Sequence, residues 1–403
     1  MQSKPSLEVQ ISPPDTREDF GLAVFFIALA ARTHGIEDEL TGLIEYTGFQ
    51  LLKVVDLAES ATADWTVNGE PSVRMVIGFD VIPARVTNEM RRSYPNLDNG
   101  HIYEAALTCR EFVPYRVLKG QPFEPVRPTE NSKEAWGAIR QLLPGAEQEI
   151  RQTIASTRSA MVSDFEVVRE LTRGGKRAKI ELIRYAGGVA VKKTFRPNCL
   201  RFMERDASFM DTFSPHRPEI PPVLKRGPNY LIMPFIEGRP LQRTFFGRRF
   251  PRLMTLRQLT NLADLLRFVF ARGFDPIDLG PHNLLVDASG SIKAIDFEFA
   301  HKSDSAIEPE RSACLRGIRE DFQGERPLKA RLVPHLSKLI DPWPLRWKGA
   351  TGLTLHSFLN DPPLLQRVKR AVNYPKYLSG KAARQLFKGR KRSSYKLPAK
   401  IAL

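Results

Sequence analysis

Residues 277–300, I-D-L-G-P-H-N-L-L-V-D-A-S-G-S-I-K-A-I-D-F-E-F-A, restrict the fold more than any other stretch of this chain. Leu284-Leu-Val286 is a short apolar strand, Asp287-Ala-Ser-Gly290 a turn and residues 291–295 a second strand, which together read as a hairpin. A hairpin returns its two ends to one place. Asp278 and Asn283, on the polar loop before it, and Asp296, at its end, are therefore expected around one point. Two carboxylates and an amide oxygen make a hard, oxygen-only donor set that suits Mg²⁺ carrying a triphosphate. Phosphoryl transfer uses such a group: one carboxylate orients or deprotonates the acceptor hydroxyl, and the other oxygens hold the metal that neutralises phosphate charge.

The order D-x-x-x-x-N, hairpin, Asp resembles the protein-kinase-like superfamily over residues ~164–360. Within it the nearer resemblance is to small-molecule and glycan kinases of the choline kinase, aminoglycoside phosphotransferase and lipopolysaccharide core kinase types. These commonly carry I-D-F-E where Ile295-Asp-Phe-Glu298 stands here. The resemblance implies a two-lobed fold using ATP and Mg²⁺, with Asp278 as catalytic Asp and Asn283 and Asp296 as metal ligands. Upstream, Val189-Ala-Val-Lys192 resembles the V-A-I-K strand whose Lys contacts the phosphates. Ala190 and Lys192 share a face of that strand, and Lys193, turned the other way, is the weaker candidate. Gly174 and Gly175 allow close backbone approach to phosphate, although the spacing of a full G-x-G-x-x-G is absent. In the helical segment 200–213, Asp206 has apolar partners at Phe209, Met210 and Phe213, the spacing of a helix packed on a sheet. It is the expected carboxylate partner of Lys192, with Glu204 close behind. Tyr230 to Leu241 resembles the last N-lobe strand and hinge, with backbone near Met233 and Phe235 facing adenine.

Two departures from the family pattern bear on activity. Pro276-Ile-Asp278 stands where H-x-D is usual, which leaves open a pseudokinase, a nucleotide-sensing scaffold without turnover. The segment after Asp296 is short and lacks A-P-E, which counts against a Ser/Thr protein kinase and its protein acceptor. His282 reads as a loop-packing residue rather than a catalytic one.

Residues 1–157 alternate strand and helix: strands over 23–29, 49–56 and 72–79, helices over 36–47 and 131–142. The amphipathic helix from Ile36 leading into Thr47-Gly-Phe-Gln-Leu-Leu resembles the first βαβ segment of nucleoside diphosphate kinase. Val126-Arg-Pro-Thr-Glu-Asn-Ser-Lys-Glu-Ala135 with Ala138-Ile-Arg140 resembles that family's phosphate-contacting run, with Arg127 and Arg140 at the matching positions. The histidine that the family phosphorylates has no counterpart in residues 142–149. His34 and His101 lie elsewhere, so this domain is expected to bind a nucleotide or a partner without phosphorylating itself.

At about 100–200 residues per domain, 403 residues predict two or three. The expected fold class is α+β: a ferredoxin-like, nucleoside-diphosphate-kinase-like α/β sandwich over 1–157, then a kinase-like domain over 158–361. Its N-lobe spans 164–233 and its C-lobe 236–361, and a basic tail covers 362–403. That tail holds twelve of the sixteen net positive charges and no Asp or Glu. It reads as a solvated tail, as a contact for an anionic surface, either acidic membrane lipid or a phosphorylated glycan, or thirdly as a nucleic-acid contact, for which no recognition motif is present. Cys109, Cys199 and Cys314 have neither metal-ligand spacing nor a disulfide framework, and no apolar run reaches 18 residues. The expected location is cytoplasmic, extending to a peripheral position at the inner face of a membrane. The expected activity is transfer of the γ-phosphoryl group of ATP to a hydroxyl of a small molecule, lipid head group or glycan.

Overall fold

The structure, a computed structural model, describes residues 20–58, 64–117, 123–172, 174–245, 248–319, 321–326, 343 and 347–391. It mixes helices with antiparallel sheets and divides into two compact units. One comprises Met1–Val162, Thr172–Lys179 and Arg196–Asn198; the other comprises Ser163–Leu171, Ile180–Phe195 and Cys199–Leu403.

The first unit is built on strand β1 (Leu22–Ala28), whose seven residues are all buried. An unbroken apolar strand needs cover on both faces, and this one has it. Leu22, Val24, Phe26 and Ala28 face Trp136, Ile139, Ile150 and Ile154 of helices Ser132–Leu142 and Glu147–Ala160. On the other face Phe25 meets Phe49 edge-on at 5.0 Å. Strands β2 (Gln50–Asp56), β3 (Ser72–Phe79) and β4 (Val126–Pro128) complete an antiparallel sheet of order β2-β3-β1-β4, with Val24 opposite Ile77 and Phe26 opposite Arg127. Gly21 opens β1 at a φ of 103°, and a Cβ there would lie 2.2 Å from the Asp80 carbonyl oxygen, so only glycine fits.

Among the elements of this unit that escape the sequence pattern are a long helix and an edge strand. Helix Gly100–Arg116 runs for 17 residues with little amphipathic contrast and with Pro114 near its end. β4 lies within residues 121–132, whose three prolines read as a turn, and it is tolerated because it is the edge strand of the sheet.

The second unit carries a five-stranded sheet of order β5-β6-β7-β9-β8. Its strands are β5 (Val167–Glu170), β6 (Ala178–Tyr185), β7 (Gly188–Phe195), β8 (Lys225–Arg226) and β9 (Tyr230–Pro234). Helix Leu200–Phe213 follows β7. Helix Leu256–Phe270 begins at a reciprocal cap: Gln258 N donates to Thr255 Oγ1 and Thr255 N to Gln258 Oε1. The expected hairpin forms from strands Leu284–Asp287 and Ile292–Ala294, with Gly238–Pro240 added alongside. Strand Phe274–Pro276 pairs with Ala300–Lys302. The chain after Asp296 reaches its next helix at Ala313–Arg316. The first part of the expected tail is the helix Pro363–Lys391; residues 392–403 lie outside the described residues.

Candidate active site

Two lysines stand side by side on β7, and strand geometry sends them to opposite faces. Ala190 and Lys192 lie on the face that packs against Phe165, Tyr185 and Tyr230. There the Lys192 ammonium sits 3.2 Å from Ser163 Oγ, and 4.7 and 5.4 Å from the ring centres of Tyr230 and Phe165. Lys193 takes the face toward helix Leu200–Phe213, and its Nζ lies 2.8 Å from each of Asp206 Oδ2, Asp296 Oδ1 and Glu298 Oε1. The structure therefore places Lys193, not the expected Lys192, among the acids. The V-A-V-K pattern supplied the strand but not its facing, because the aromatic cluster claims the Ala190 side.

Asp206 is 1 % exposed. Its spacing from Phe209, Met210 and Phe213, all buried, turns it inward, where Oδ1 accepts from the Phe297 amide at 2.9 Å. Phe297 in turn stacks on Phe209 at 4.2 Å, which holds the segment after the hairpin against the helix. Glu204, the second candidate, points outward and pairs with Arg226.

Asp296 is the least enclosed of the three acids; its side chain is 35 % exposed against 1 % for Asp206 and 5 % for Glu298. Its φ of 68° is left-handed, a conformation that Asp tolerates better than most residues and that concentrates at functional sites. Asn283 stands beside it across the base of the hairpin, where the Ile295 amide donates to the Asn283 carbonyl at 3.0 Å. The Asn283 side chain donates to the Asp278 carbonyl at 3.2 Å, tying the two ends of the loop together. Asp278 keeps a partly exposed carboxylate, with His282 Nε2 4.0 Å away.

The electrostatics follow from burial and charge. Burial alone would lower the Lys193 ammonium, but Asp206, Asp296 and Glu298 raise it well above its ordinary value, so it stays protonated. Burial raises the Asp206 carboxyl, opposed by Lys193 and reinforced by the two neighbouring acids. Asp206, Asp296 and Glu298 place oxygens within 4.8 Å of one another. Three carboxylates around one ammonium leave the group acidic as a whole. Such a hard, oxygen-only cluster is of the kind that suits a divalent cation, and the partly open Asp296 is its most accessible member.

Sequence reasoning missed Asp275. It is 5 % exposed, in the apolar strand Phe274–Pro276 just before the loop. Its carboxylate accepts from Ser312 Oγ at 3.0 Å and from the amides of Ala313 and Cys314 at 2.5 and 3.2 Å. Burial pushes it up to about 6 against those three hydrogen bonds. It fixes the start of the Asp278 loop, at the place where Pro276 stands instead of His. A lone Asp inside an apolar strand was the available signal.

The expected phosphate cradle is not what Gly174 and Gly175 form. Both lie in the first unit, and their carbonyls accept from side chains there: Gly174 from His101 Nε2 at 2.8 Å and Gly175 from Arg196 Nε at 2.9 Å. The carbonyls of this loop are thus engaged by the side chains of His101 and Arg196 within the first unit. Met233 lies in the ladder opposite Val191, and Phe235 is half-buried just past the end of β9. In the first unit Arg127 Nη1 donates to the Thr66 carbonyl at 3.2 Å, and Arg140 pairs with Glu147 at 2.9 Å.

No family model matches the chain. Over 170 residues it is 31 % identical to the CBL-interacting protein kinase 4 of Oryza sativa subsp. japonica, a match covering 38 % of this chain and 37 % of that protein. The chain thus has a protein-kinase-like relationship over part of its length, and it spans little more than a third of the curated relative it matches.

Proposed function

We propose that residues 158–361 are an ATP- and Mg²⁺-dependent phosphotransferase that moves the γ-phosphoryl group to an alcohol acceptor. The observation that carries this reading is the Lys193 ammonium 2.8 Å from Asp206, Asp296 and Glu298, with Asn283 at the base of the same hairpin. Lys193 would hold the phosphates in place of Lys192, kept in register by Asp206. Asp278, partly open and braced by Asn283, would orient the acceptor hydroxyl and receive its proton. Asn283 and Asp296 would hold Mg²⁺, which when bound neutralises charge on the phosphates. The backbone near Met233 and Phe235 would meet adenine. Positioning and charge neutralisation would supply most of the rate.

The acceptor is a small molecule, lipid head group or glycan. The short path from Asp296 through Ala300–Lys302 to the helix at Ala313 supports this over a protein acceptor, although the relative above is named a protein kinase. The strand order β2-β3-β1-β4, antiparallel throughout, supports a ferredoxin-like reading of the first unit. The lack of a histidine in residues 142–149 supports a binding role there rather than self-phosphorylation.

The test measures Mg²⁺-dependent ATP turnover by the full chain. Asp278→Asn and Asp296→Asn are each expected to abolish it, with the fold retained by circular dichroism. Turnover undiminished in both variants would reject the assignment. Thermal stabilisation by MgATP without turnover in the unaltered chain would replace it with the pseudokinase reading, which Pro276 in the place of the loop histidine favours.

A further inference from the structure

The helix Pro363–Lys391 contains nine Lys and Arg and no acidic residue. Its first turns are seated on the second unit: Arg370 is 8 % exposed and donates to the Met254 carbonyl, and Lys369 pairs with Asp361 at 2.8 Å. Away from that seat four aliphatic side chains face outward: Leu364 at 75 % exposure, Leu365 at 41 %, Val368 at 57 % and Val372 at 51 %. At about 100° per residue these four fall within one arc of roughly 100°. Arg367 and Lys376, both exposed, flank that arc on either side. The helical period continues the arc through Ala371 and Pro375, also exposed.

Large aliphatic side chains grouped on one exposed face are unusual on a folded protein. A solvated tail explains the cations but not this grouping. A nucleic acid explains the cations as well, yet it offers nothing for Leu364, Leu365, Val368 and Val372 to enter. An anionic bilayer surface satisfies both halves of the helix: its acyl boundary takes the aliphatic arc, and its headgroups take the flanking cations, with no acid on the helix to repel them.

We propose that the helix Pro363–Lys391 is an interfacial membrane anchor, lying in the plane of an anionic lipid surface with Leu364, Leu365, Val368 and Val372 turned into it. The anchor shares no residue with the Lys193 cluster and stands whether or not that cluster transfers phosphate. No described helix is long and apolar enough to cross a membrane, so contact here is with one face only.

Co-sedimentation of the full chain with vesicles tests it. The chain is expected to bind phosphatidylcholine vesicles containing phosphatidylglycerol, to bind pure phosphatidylcholine far less, and to lose binding as salt rises. The triple variant Leu364→Ser, Val368→Ser, Val372→Ser keeps every cation and alters only exposed positions, so the fold is expected to survive. It should bind anionic vesicles about tenfold more weakly or worse. Equal binding by the variant would overturn the proposal, since charge alone would then account for the contact. So would failure of the unaltered chain to bind anionic vesicles at low salt. Duplex DNA or an acidic protein that displaces the chain from vesicles, and that the triple variant binds as tightly, would reassign the helix to a soluble polyanion.

Discussion

At the scale of single residues, adjacent Lys192 and Lys193 pose the sharpest question. Both are nearly buried, one among aromatic rings and one among carboxylates. The second lies 2.8 Å from three carboxylates, the setting in which the proposed phosphate role places a lysine. Lys193→Met is expected to lower ATP turnover by at least about a hundredfold, the scale of losing one preorganised charge at a reacting phosphoryl group. Lys192→Met, a similar volume in an aromatic pocket, should leave turnover within a few-fold. Side-by-side kcat measurements decide this, and the opposite ranking would restore Lys192 to the phosphate role.

At the scale of elements, the loop before β6, at Gly174 and Gly175, is held by a buried polar knot in the first unit. Arg196 Nη2 lies 2.6 Å from Asp80 Oδ1, and His101 Nδ1 lies 2.7 Å from Asp80 Oδ2. Asn99 donates to the same carboxylate at 2.8 Å, and Arg196 also reaches the carbonyls of Gly48 and Gly175. Gly175 itself takes a φ of 59°, with Ile82 Cγ2 2.7 Å from where a Cβ would be. Removing one partner of a buried ion pair leaves an uncompensated charge and costs about 3–5 kcal/mol. Arg196→Met is therefore expected to destabilise the first unit by that amount and to expose residues 174–179 to protease. Unchanged denaturant midpoints and cleavage rates would show that the knot is not what retains the loop. Lexically the loop looked like a phosphate cradle because its two glycines are adjacent. That Arg196, His101 and Asp80, far apart in the chain, converge on it could not be read from local pattern.

At the scale of the whole molecule, two buried carboxyls, one in each unit, contribute proton linkage of opposite sign. Burial would raise Asp80, but Arg196 and His101 hold it well below the usual carboxylate range. Its folded state releases a proton that the unfolded chain binds, so this contribution is complete above about pH 4 and lost as pH falls further. Asp275, pushed up to about 6, does the reverse. Its folded state keeps a proton that the unfolded chain has released, so the contribution of Asp275 to stability falls as pH rises from about 4 through 6, by roughly 3 kcal/mol at most. Hydrogen exchange read peptide by peptide, corrected for intrinsic rates, is expected to show weaker protection near Asp275 and Ser312–Cys314 at pH 7 than at pH 4.5. Protection near Asp80 and Arg196 should fail only in stronger acid. Asp275→Asn should flatten the first trend, and a trend that persists in that variant belongs to another group.

Much of this molecule was legible along the chain because the signals were local. Strand 72–79 has the bounds that its apolar run implies, and the hairpin after Asn283 follows from two short apolar runs around a turn. Helical period alone turned Asp206 inward and Glu204 outward. Helix Gly100–Arg116 and strand β4 were not legible, the first for want of an amphipathic stripe and the second because its prolines mimic a turn. Sequence order by itself determined the α+β alternation and the series Lys, Asp206, Asp278, Asn283, Asp296. Packing decided which lysine joins the acids, where the glycines go and that Asp275 is buried. Period-two and period-3.6 patterns say that two faces differ, but only the elements that close over each face say which one becomes the site.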